Sequence, residues 1–569
     1  MRTGNVGTNI RSNAKLRFFT KNETIVLDSD TVNGDILSVT TQKDLASSAH
    51  QFTIVLSPRI IKAKDSASNS VYIPDLIKPY DLVEISFKTD SAGYKVEMIG
   101  FVSRAAIQLT VLEEGGKPQR TLEISGFGLA KALQNAKIFF NPTLNINNFA
   151  GMGGQLYYGT QQVDNLLTSV NVKDFVKNFV SQAFTNTFDN ANSGSPYYSF
   201  TFGGRKGYSR PYNAPSSETQ GIKITDLVDF QNGMSTMFEN NKINNPFILL
   251  DMGAGEEVSV WDVIKSYSDP PFHECFIDLR RSGTDAEKAH SIQSGLSESP
   301  LVFYLRTTPF SPDSWHSLKS HFFFTSDVMS QNTATSEENI YNYFHVICSN
   351  DSTIIGAPQL AAAAYGTQDY ELGRCRVPIL DTESILKYGF RQFPIQTTKY
   401  VDFISQTIPG IFNTTNPNDQ AVIMAVCTLA RQLLRWYAFG EDFETGTIVL
   451  KGRVGIGSDG ATIGSKLIER NPDGSTTGKE FYIEGVTQQW QVGRPLTTSL
   501  SVSRGHFPAA HFDYSGSRVL GRFEKVSNLC KDLHLSQNSF CNSELFHKVE
   551  PEDYGASTAY YTPTPEGGA

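Results

Sequence analysis

A chain of 569 residues is too long for one hydrophobic core and implies roughly two to four domains. With 11% aromatic residues, 19% charged residues and 45 glycines, it is not a disordered chain and suits a β-rich protein with many turns. A formal charge of -9 disfavours a general nucleic-acid binder, which needs a basic stripe for phosphates, and six cysteines in this length disfavour a disulfide framework.

Met1 to Phe19 is polar and lacks an apolar h-region, so no signal peptide is expected. Residues 1–135 read as a first β-barrel domain. Phe52, Ile54 and Leu56 alternate with Thr53, Val55 and Ser57. A turn at Lys78-Pro79-Tyr80-Asp81 opens a strand with Val83, Ile85 and Phe87 on one face and Glu84, Ser86 and Lys88 on the other. Strands follow at Glu97 to Leu109 and Arg120 to Gly126, then a short helix at Phe127 to Gln134.

Residues 136–369 read as a mixed α/β domain. Val172, Phe175, Val176, Phe179, Val180 and Ala183 recur at helical spacing and predict a helix over Val172 to Phe184. Residues 186–220 are Gly-, Ser-, Asn- and Tyr-rich and read as a long loop. A helix at Trp261 to Ser268 must end before Pro270-Pro271, and strands are predicted at Phe272 to Asp278 and Leu301 to Arg306.

Residues 370–505 return to alternation as a second β-barrel domain, interrupted by helices at Ser384 to Tyr388 and Asp419 to Tyr437. Asn418 or Asp419 offers the latter an N-cap. Its apolar stretch from Ala421 to Tyr437 carries Arg431 and Arg435 and cannot supply the ~20 apolar residues of a membrane span. Strands are predicted at Thr447 to Arg453, Glu480 to Gln489 and Pro495 to Arg504. In the last, Leu496, Thr498, Leu500 and Val502 face one way and Thr497, Ser499, Ser501 and Ser503 the other. Residues 506–569 form a charged, then Tyr/Thr/Pro/Gly-rich tail that either wanders or lies on a partner. The fold class is therefore α+β and β-rich, with two similar β-barrel-like domains flanking a mixed domain and an extended C-terminal tail.

Several segments, in this order and spacing, resemble the phage baseplate hub family: the hub of contractile myophages, the late control D proteins and the hub half of VgrG spikes. In the first domain these are Ile77-Lys78-Pro79-Tyr80-Asp81-Leu82-Val83-Glu84-Ile85, Gly100-Phe101-Val102 and Leu122-Glu123-Ile124-Ser125-Gly126-Phe127-Gly128. Tyr80 stands where the family's turn has glycine. Next come Trp261-Asp262-Val263-Ile264, Pro270-Pro271-Phe272 with Glu274 and Phe276, and Arg306-Thr307-Thr308-Pro309-Phe310. Asp381-Thr382-Glu383-Ser384-Ile385, Tyr388-Gly389, Glu484-Gly485-Val486 and Leu500-Ser501-Val502-Ser503-Arg504-Gly505 complete the set, over about two thirds of the chain.

The resemblance implies a structural protein, not an enzyme, with no cofactor. Three subunits, each with two similar β-domains, would form a ring joining a threefold spike to a sixfold tail tube, its lumen passing DNA or cargo. Implied partners are two further copies of the chain, the central spike protein, the tail tube protein, the tape measure protein and other baseplate components. Neither stable nucleic-acid binding nor a membrane span is implied. The location would be the virion tail baseplate, assembled in a host cytoplasm. A tail-associated cell-wall hydrolase and a tail-tube terminator or adaptor stay open as alternatives.

Signals of chemistry are weak. Gly452-Arg453-Val454-Gly455-Ile456-Gly457 lacks both the G-x-G-x-x-G order and a Lys-Ser/Thr ending, and reads as a hairpin turn. His273-Glu274-Cys275 lacks the second histidine of a zincin and reads as strand, and no G-x-S-x-G elbow occurs. Cys530, His534, Cys541 and His547 are the right ligand types for zinc at an unrecognised spacing, whereas Cys275, Cys348, Cys375 and Cys427 read as core thiols. Arg205 to Tyr212 mixes basic and aromatic residues, fitting a grip on a neighbouring subunit or stacking on single-stranded nucleic acid. No catalytic, cofactor or metal residue is assigned.

Overall fold

The computed structural model describes residues 12–20, 24–30, 35–47, 49–57, 60–62, 70–88, 94–110, 119–135, 137–139, 156–158, 161–163, 228–233, 258–268, 270–280, 301–348, 379–397, 432–434, 436–437, 439–452, 461–471, 473–507 and 547–548. The predicted helix at 172–184, the loop at 186–220, most of the helix at 419–437 and nearly all of the tail lie outside these residues.

The N-terminal part supplies β1 (Asn13–Phe19), β2 (Thr24–Asp28), β3 (Ile36–Asp44), β4 (Gln51–Leu56), the short pair β5 (Ile60–Lys62) and β6 (Ser70–Tyr72), and α1 (Ile73–Leu76). Then come β7 (Leu82–Lys88), β8 (Lys95–Thr110), β9 (Gln119–Gly128) and α2 (Ala130–Asn135). The middle contributes β10 (Lys137–Phe139), β11 (Leu156–Tyr158), β12 (Gln161–Val163), β13 (Val228–Gly233), β14 (Val258–Ser259), α3 (Val260–Ser268), β15 (His273–Leu279) and β16 (Leu301–Thr307). It continues with α4 (Pro312–Ser317), β17 (Ser320–Phe324), β18 (Val328–Thr335), β19 (Tyr343–Cys348), β20 (Ile379–Leu380), α5 (Thr382–Tyr388) and β21 (Gln392–Thr397). Last are β22 (Glu444–Lys451), β23 (Lys466–Arg470), β24 (Thr476–Gln491), β25 (Thr497–His506) and β26 (His547–Lys548).

One curled sheet dominates this β-rich fold. Its 13 strands run β18-β22-β25-β24-β3-β4-β9-β8-β7-β1-β2, with β23 beside β24 and β17 beside β23. Along the main path every neighbour pair is antiparallel; β17 and β23 pair in parallel. The N- and C-terminal limbs thus join edge to edge where Ser38–Asp44 of β3 lie opposite Gln491–Gly485 of β24. Register shifts along the β3–β4, β7–β8, β8–β9, β22–β25 and β24–β25 pairs bend the sheet, as bulges do. A parallel-antiparallel sheet β13-β16-β15 packs against it, and the small sheets β12-β11-β10-β14, β21-β19-β20-β26 and β5-β6 complete the set among the described residues.

Among the described residues two cores lie under the large sheet. The first gathers apolar side chains of β1, β3, β4, β7, β8 and β9, joined by Trp490 and Leu496 from the C-terminal limb. The second gathers Ile448, Leu450, Leu467, Phe481, Ile483, Val486, Leu500 and Val502 with Phe276 of β15.

Most predicted strands are found within a few residues of their expected bounds. Phe52, Ile54 and Leu56 are buried, Asp381 caps α5 by accepting from the Ser384 amide, and α3 ends at Ser268. Three expectations need correction. Phe127 and Gly128 end β9, so the helix begins only at Ala130. Glu84 and Ser86 are not on a wet face, because β7 runs between β1 and β8 and both its faces are covered. Glu84, buried, meets Arg17 of β1 at 3.1 Å. Ser503 is also buried, as described below. Tyr80 adopts φ 71 in the turn before β7, the conformation for which a glycine would be the ordinary choice.

Candidate assembly surface

Away from the two cores the large sheet presents a polar face. One rung of directly paired residues reads Lys451, Thr497, Gln489, Thr40, Thr53, Ser125 and Arg104 across β22, β25, β24, β3, β4, β9 and β8. The next reads Ser330, Val449, Ser499, Thr487, Gln42 and Gln51, beginning on β18. Hydroxyl and amide groups dominate it. Thr497, Ser499 and Ser501 lie on this face as the alternation predicts, while Leu496, Thr498, Leu500 and Val502 are buried beneath. Ser503 departs from the pattern: the register shifts between Ile483 and Gly485 and between Glu444 and Gly446 break the alternation, and Ser503 is buried.

The polar face is bounded by two strand edges. Among the described residues β18 pairs with β22 alone. β8 pairs with β9 along its length, but with β7 only as far as Phe101, so Ser103–Thr110 has no described strand on that side. Soluble proteins guard such edges with charges, proline or short length. β18 is eight residues long and contains neither a charge nor a proline; the free stretch of β8 carries Arg104 alone. Three of the most exposed large apolar side chains lie on these two edges: Met329 (58%), Ile107 (53%) and Leu109 (60%).

Behind the sheet, two polar bolts hold the middle strands to the limbs. Glu274 of β15 accepts from Arg306 Nε at 2.6 Å and from the Tyr482 hydroxyl of β24 at 2.6 Å. Arg306 also donates to the Gly464 carbonyl and lies over the Phe276 ring. Burial, with Glu274 beside it, holds the Tyr482 phenol well above its usual range. In the Arg306-to-Phe310 segment, Phe310 packs edge-on to Trp436 and Tyr482, and the Arg504 guanidinium stacks 3.6 Å from its centroid. The second bolt is Lys43 of β3 with Asp278 of β15, 2.8 Å apart and each 3% exposed. A cavity of about 210 Å³ lined by Asp278, Arg306, Lys319, Thr462 and Ser465 among others lies beside both.

His273-Glu274-Cys275 lies in β15 as predicted, and burial pushes the Cys275 thiol up to about 11, as suits a core thiol. Arg205 to Tyr212, Cys530, His534 and Cys541 lie outside the described residues. His547 is in β26, which pairs in parallel with β20 of the same chain. Among the described residues no three or more His, Cys, Asp or Glu side chains gather to hold a metal ion, and no helix is long and apolar enough to cross a membrane.

His506 gives the fold a pH dependence. It is 5% exposed, with its ring 4.9 Å from that of Trp315 and 5.5 Å from that of Phe443, and burial lowers its pKa to about 4. The folded state thus keeps it neutral while the unfolded state takes a proton below about 6.5. Stability is fully present above that value and is lost as pH falls from 6.5 to 4, by about 3 kcal/mol at the lower end. His50, also lowered to about 4 by burial, acts in the same window. Melting temperature followed against pH is expected to fall over this range, and His506→Phe to make the fall shallower.

No family model matches the chain, and no curated protein matches it. Solved structures do. The tail protein from Neisseria meningitidis MC58 aligns with a TM-score of 0.42 and 10% identity, over 86% of this chain and 96% of that one. The 43 kDa tail protein of prophage MuSo2 from Shewanella oneidensis gives 0.40 and 8%, over 88% and 98%. An E. coli type VI secretion component, described as structurally similar to T4 bacteriophage tail proteins gp27 and gp5, gives 0.34 and 9%, over 83% and 74%. These structural neighbours are two tail proteins and a type VI secretion component. They fall in the group that the sequence segments resemble.

Proposed function

We propose that the chain is a structural baseplate hub subunit of a contractile phage tail or related injection machine, and not an enzyme. In this reading residues 1–135 and 370–505 act as two similar β-domains, joined by the mixed region between them. Three copies form the ring between a threefold spike and a sixfold tube, in the virion tail. Its remaining partners would be the tape measure protein and other baseplate components.

The observation that carries this reading is the pair of edges, each without a further strand among the described residues, flanking a polar face. From β18 to β8 the sheet has eight strands joined by antiparallel steps, so its two edges run in opposite directions. Rotation about a ring axis preserves strand direction, so β18 of one copy beside Ser103–Thr110 of the next would extend the sheet antiparallel. A closed barrel of eight strands is filled by its own side chains, whereas three such contributions, about 24 strands, leave an open lumen. The hydroxyl- and amide-rich face would line it, a surface that wets a passing polymer without binding it tightly.

Light scattering with negative-stain averaging of the full chain tests this. The expected result is a three-copy mass and an open ring, lost to monomer in Ile107→Lys with Met329→Lys, because charge on an edge blocks pairing. A ring that persists in that variant, or a wild type that stays monomeric both alone and with its spike, would refute the edge assignment. A clear band on a cell-wall zymogram would overturn the non-enzymatic part.

A further inference from the structure

On its buried side the large sheet carries a polar row between its two cores. Thr41 of β3, Gln488 of β24 and Thr498 of β25 are direct register partners. They are 1%, 1% and 0% exposed. On β24 the row separates Trp490, in the first core, from Val486, in the second; on β25 it separates Leu496 from Leu500. Thr498 donates to the Gly452 carbonyl at 2.7 Å. Neither amide atom of Gln488 has a hydrogen-bond partner among the described residues, though both are buried.

A leucine or methionine would fit this position by size, and a buried primary amide without partners is destabilising by more than a lost hydrogen bond. The physical consequence is local. Elsewhere along these strands, bending the sheet would separate packed apolar side chains. At the row little apolar surface parts, and opening brings water to the Gln488 amide, which offsets the cost. The register shift between Ile483 and Gly485 ends three residues before Gln488 on the same strand, and such shifts bend a strand.

We infer that the Thr41–Gln488–Thr498 row is a flex line, on which the sheet bends with brief local opening of the β3–β24 pairing so that the two cores move as separate bodies. It would let the polar face change curvature, and it holds whether or not the chain assembles into a ring. Local opening of this kind is read by amide exchange.

Hydrogen–deuterium exchange on the full-length protein tests it, following residues 38–44 and 485–491, the paired segments that cross the row. Gln488→Leu is expected to slow exchange in both segments roughly tenfold, with Gln489→Leu, on the opposite face, leaving them unchanged. Gln488→Glu is expected to speed exchange in these segments and to leave β1 and β7 as in the wild type. Unchanged or faster exchange in Gln488→Leu would overturn the inference, since the amide would then be satisfied in the closed sheet. So would a change in Gln488→Glu spread evenly over the chain. If Gln488→Leu does not fold, the amide is structurally required and the inference falls as well.

Discussion

Replacing Lys43 by methionine is expected to destabilise the protein by about 3–5 kcal/mol, because it removes the ammonium of a buried ion pair while the Asp278 carboxylate stays in place. Both side chains are 3% exposed at 2.8 Å separation, so neither is screened by solvent as a surface pair would be. Asp278 Oδ1 also accepts from the Leu279 amide at 2.8 Å, a bond that helps hold the carboxylate but cannot replace a cation. The pair ties β3 to β15, and β15 is anchored in the second core by Phe276 and by the bond from Tyr482 to Glu274. Removing the lysine therefore loosens the first limb from the middle sheet. The double variant Lys43→Met with Asp278→Leu is expected to recover most of the loss, since apolar replacement of a whole buried pair is near neutral or favourable. Chemical denaturation of the wild type and of single and double variants measures the cycle. A single variant as stable as the wild type would show that water reaches Asp278, by way of the adjoining cavity.

The local half of this fold was legible, and the long-range half was not. Alternation placed β4, β9, β24 and β25, because each has one face on a core and the period of two is visible in its own residues, while β15 and β16 stood out as short apolar runs. The same logic failed on β7, whose Glu84 and Ser86 read as wet. Their burial depends on β1, where Arg17 supplies the charge that Glu84 needs. That strand's own alternation of Ala14, Leu16 and Phe18 with Lys15 and Arg17 was the available signal. Gly126 shows another limit. A Cβ there would lie 2.1 Å from the Phe101 carbonyl oxygen and 2.3 Å from the Phe52 ring, so glycine is required by neighbours that pairing alone reveals. The candidate surface was legible as a polar face at Thr497, Ser499 and Ser501. Its edges were not, because an edge is defined by which strands fail to pair. Nor does Gln488, on its own, announce a buried row in Gln488-Gln489, one of which points in and the other out.

The union of the limbs is where a single side chain carries most. Trp490→Ala is expected to cost about 3–5 kcal/mol, the range for deleting a large buried aromatic. Trp490 belongs to β24, a strand of the C-terminal limb, yet its ring is 3% exposed within the first core. Its indole Nε1 donates to the Ser12 carbonyl at 2.9 Å, and the Ser12 hydroxyl in turn accepts from the Leu496 amide at 2.9 Å. A segment just before β1 is thus fastened to the hairpin between β24 and β25, 478 residues away in sequence. Truncation to alanine removes both the apolar volume and the donor, and leaves the carbonyl of Ser12 to find another partner. Trp490→Phe keeps most of the volume without the donor, so the difference between the two variants isolates the apolar volume, and the smaller loss in Trp490→Phe alone reads chiefly the hydrogen bond, about 1 kcal/mol. Because the lost contacts join the limbs, not one core alone, the expected unfolding curve of Trp490→Ala is lower in midpoint and also less cooperative, with the first core melting ahead of the second. Denaturant titration followed by far-ultraviolet circular dichroism reads both quantities. A lowered midpoint with undiminished slope would mean that the edge pairing of β3 with β24 is enough to hold the two cores in one cooperative unit.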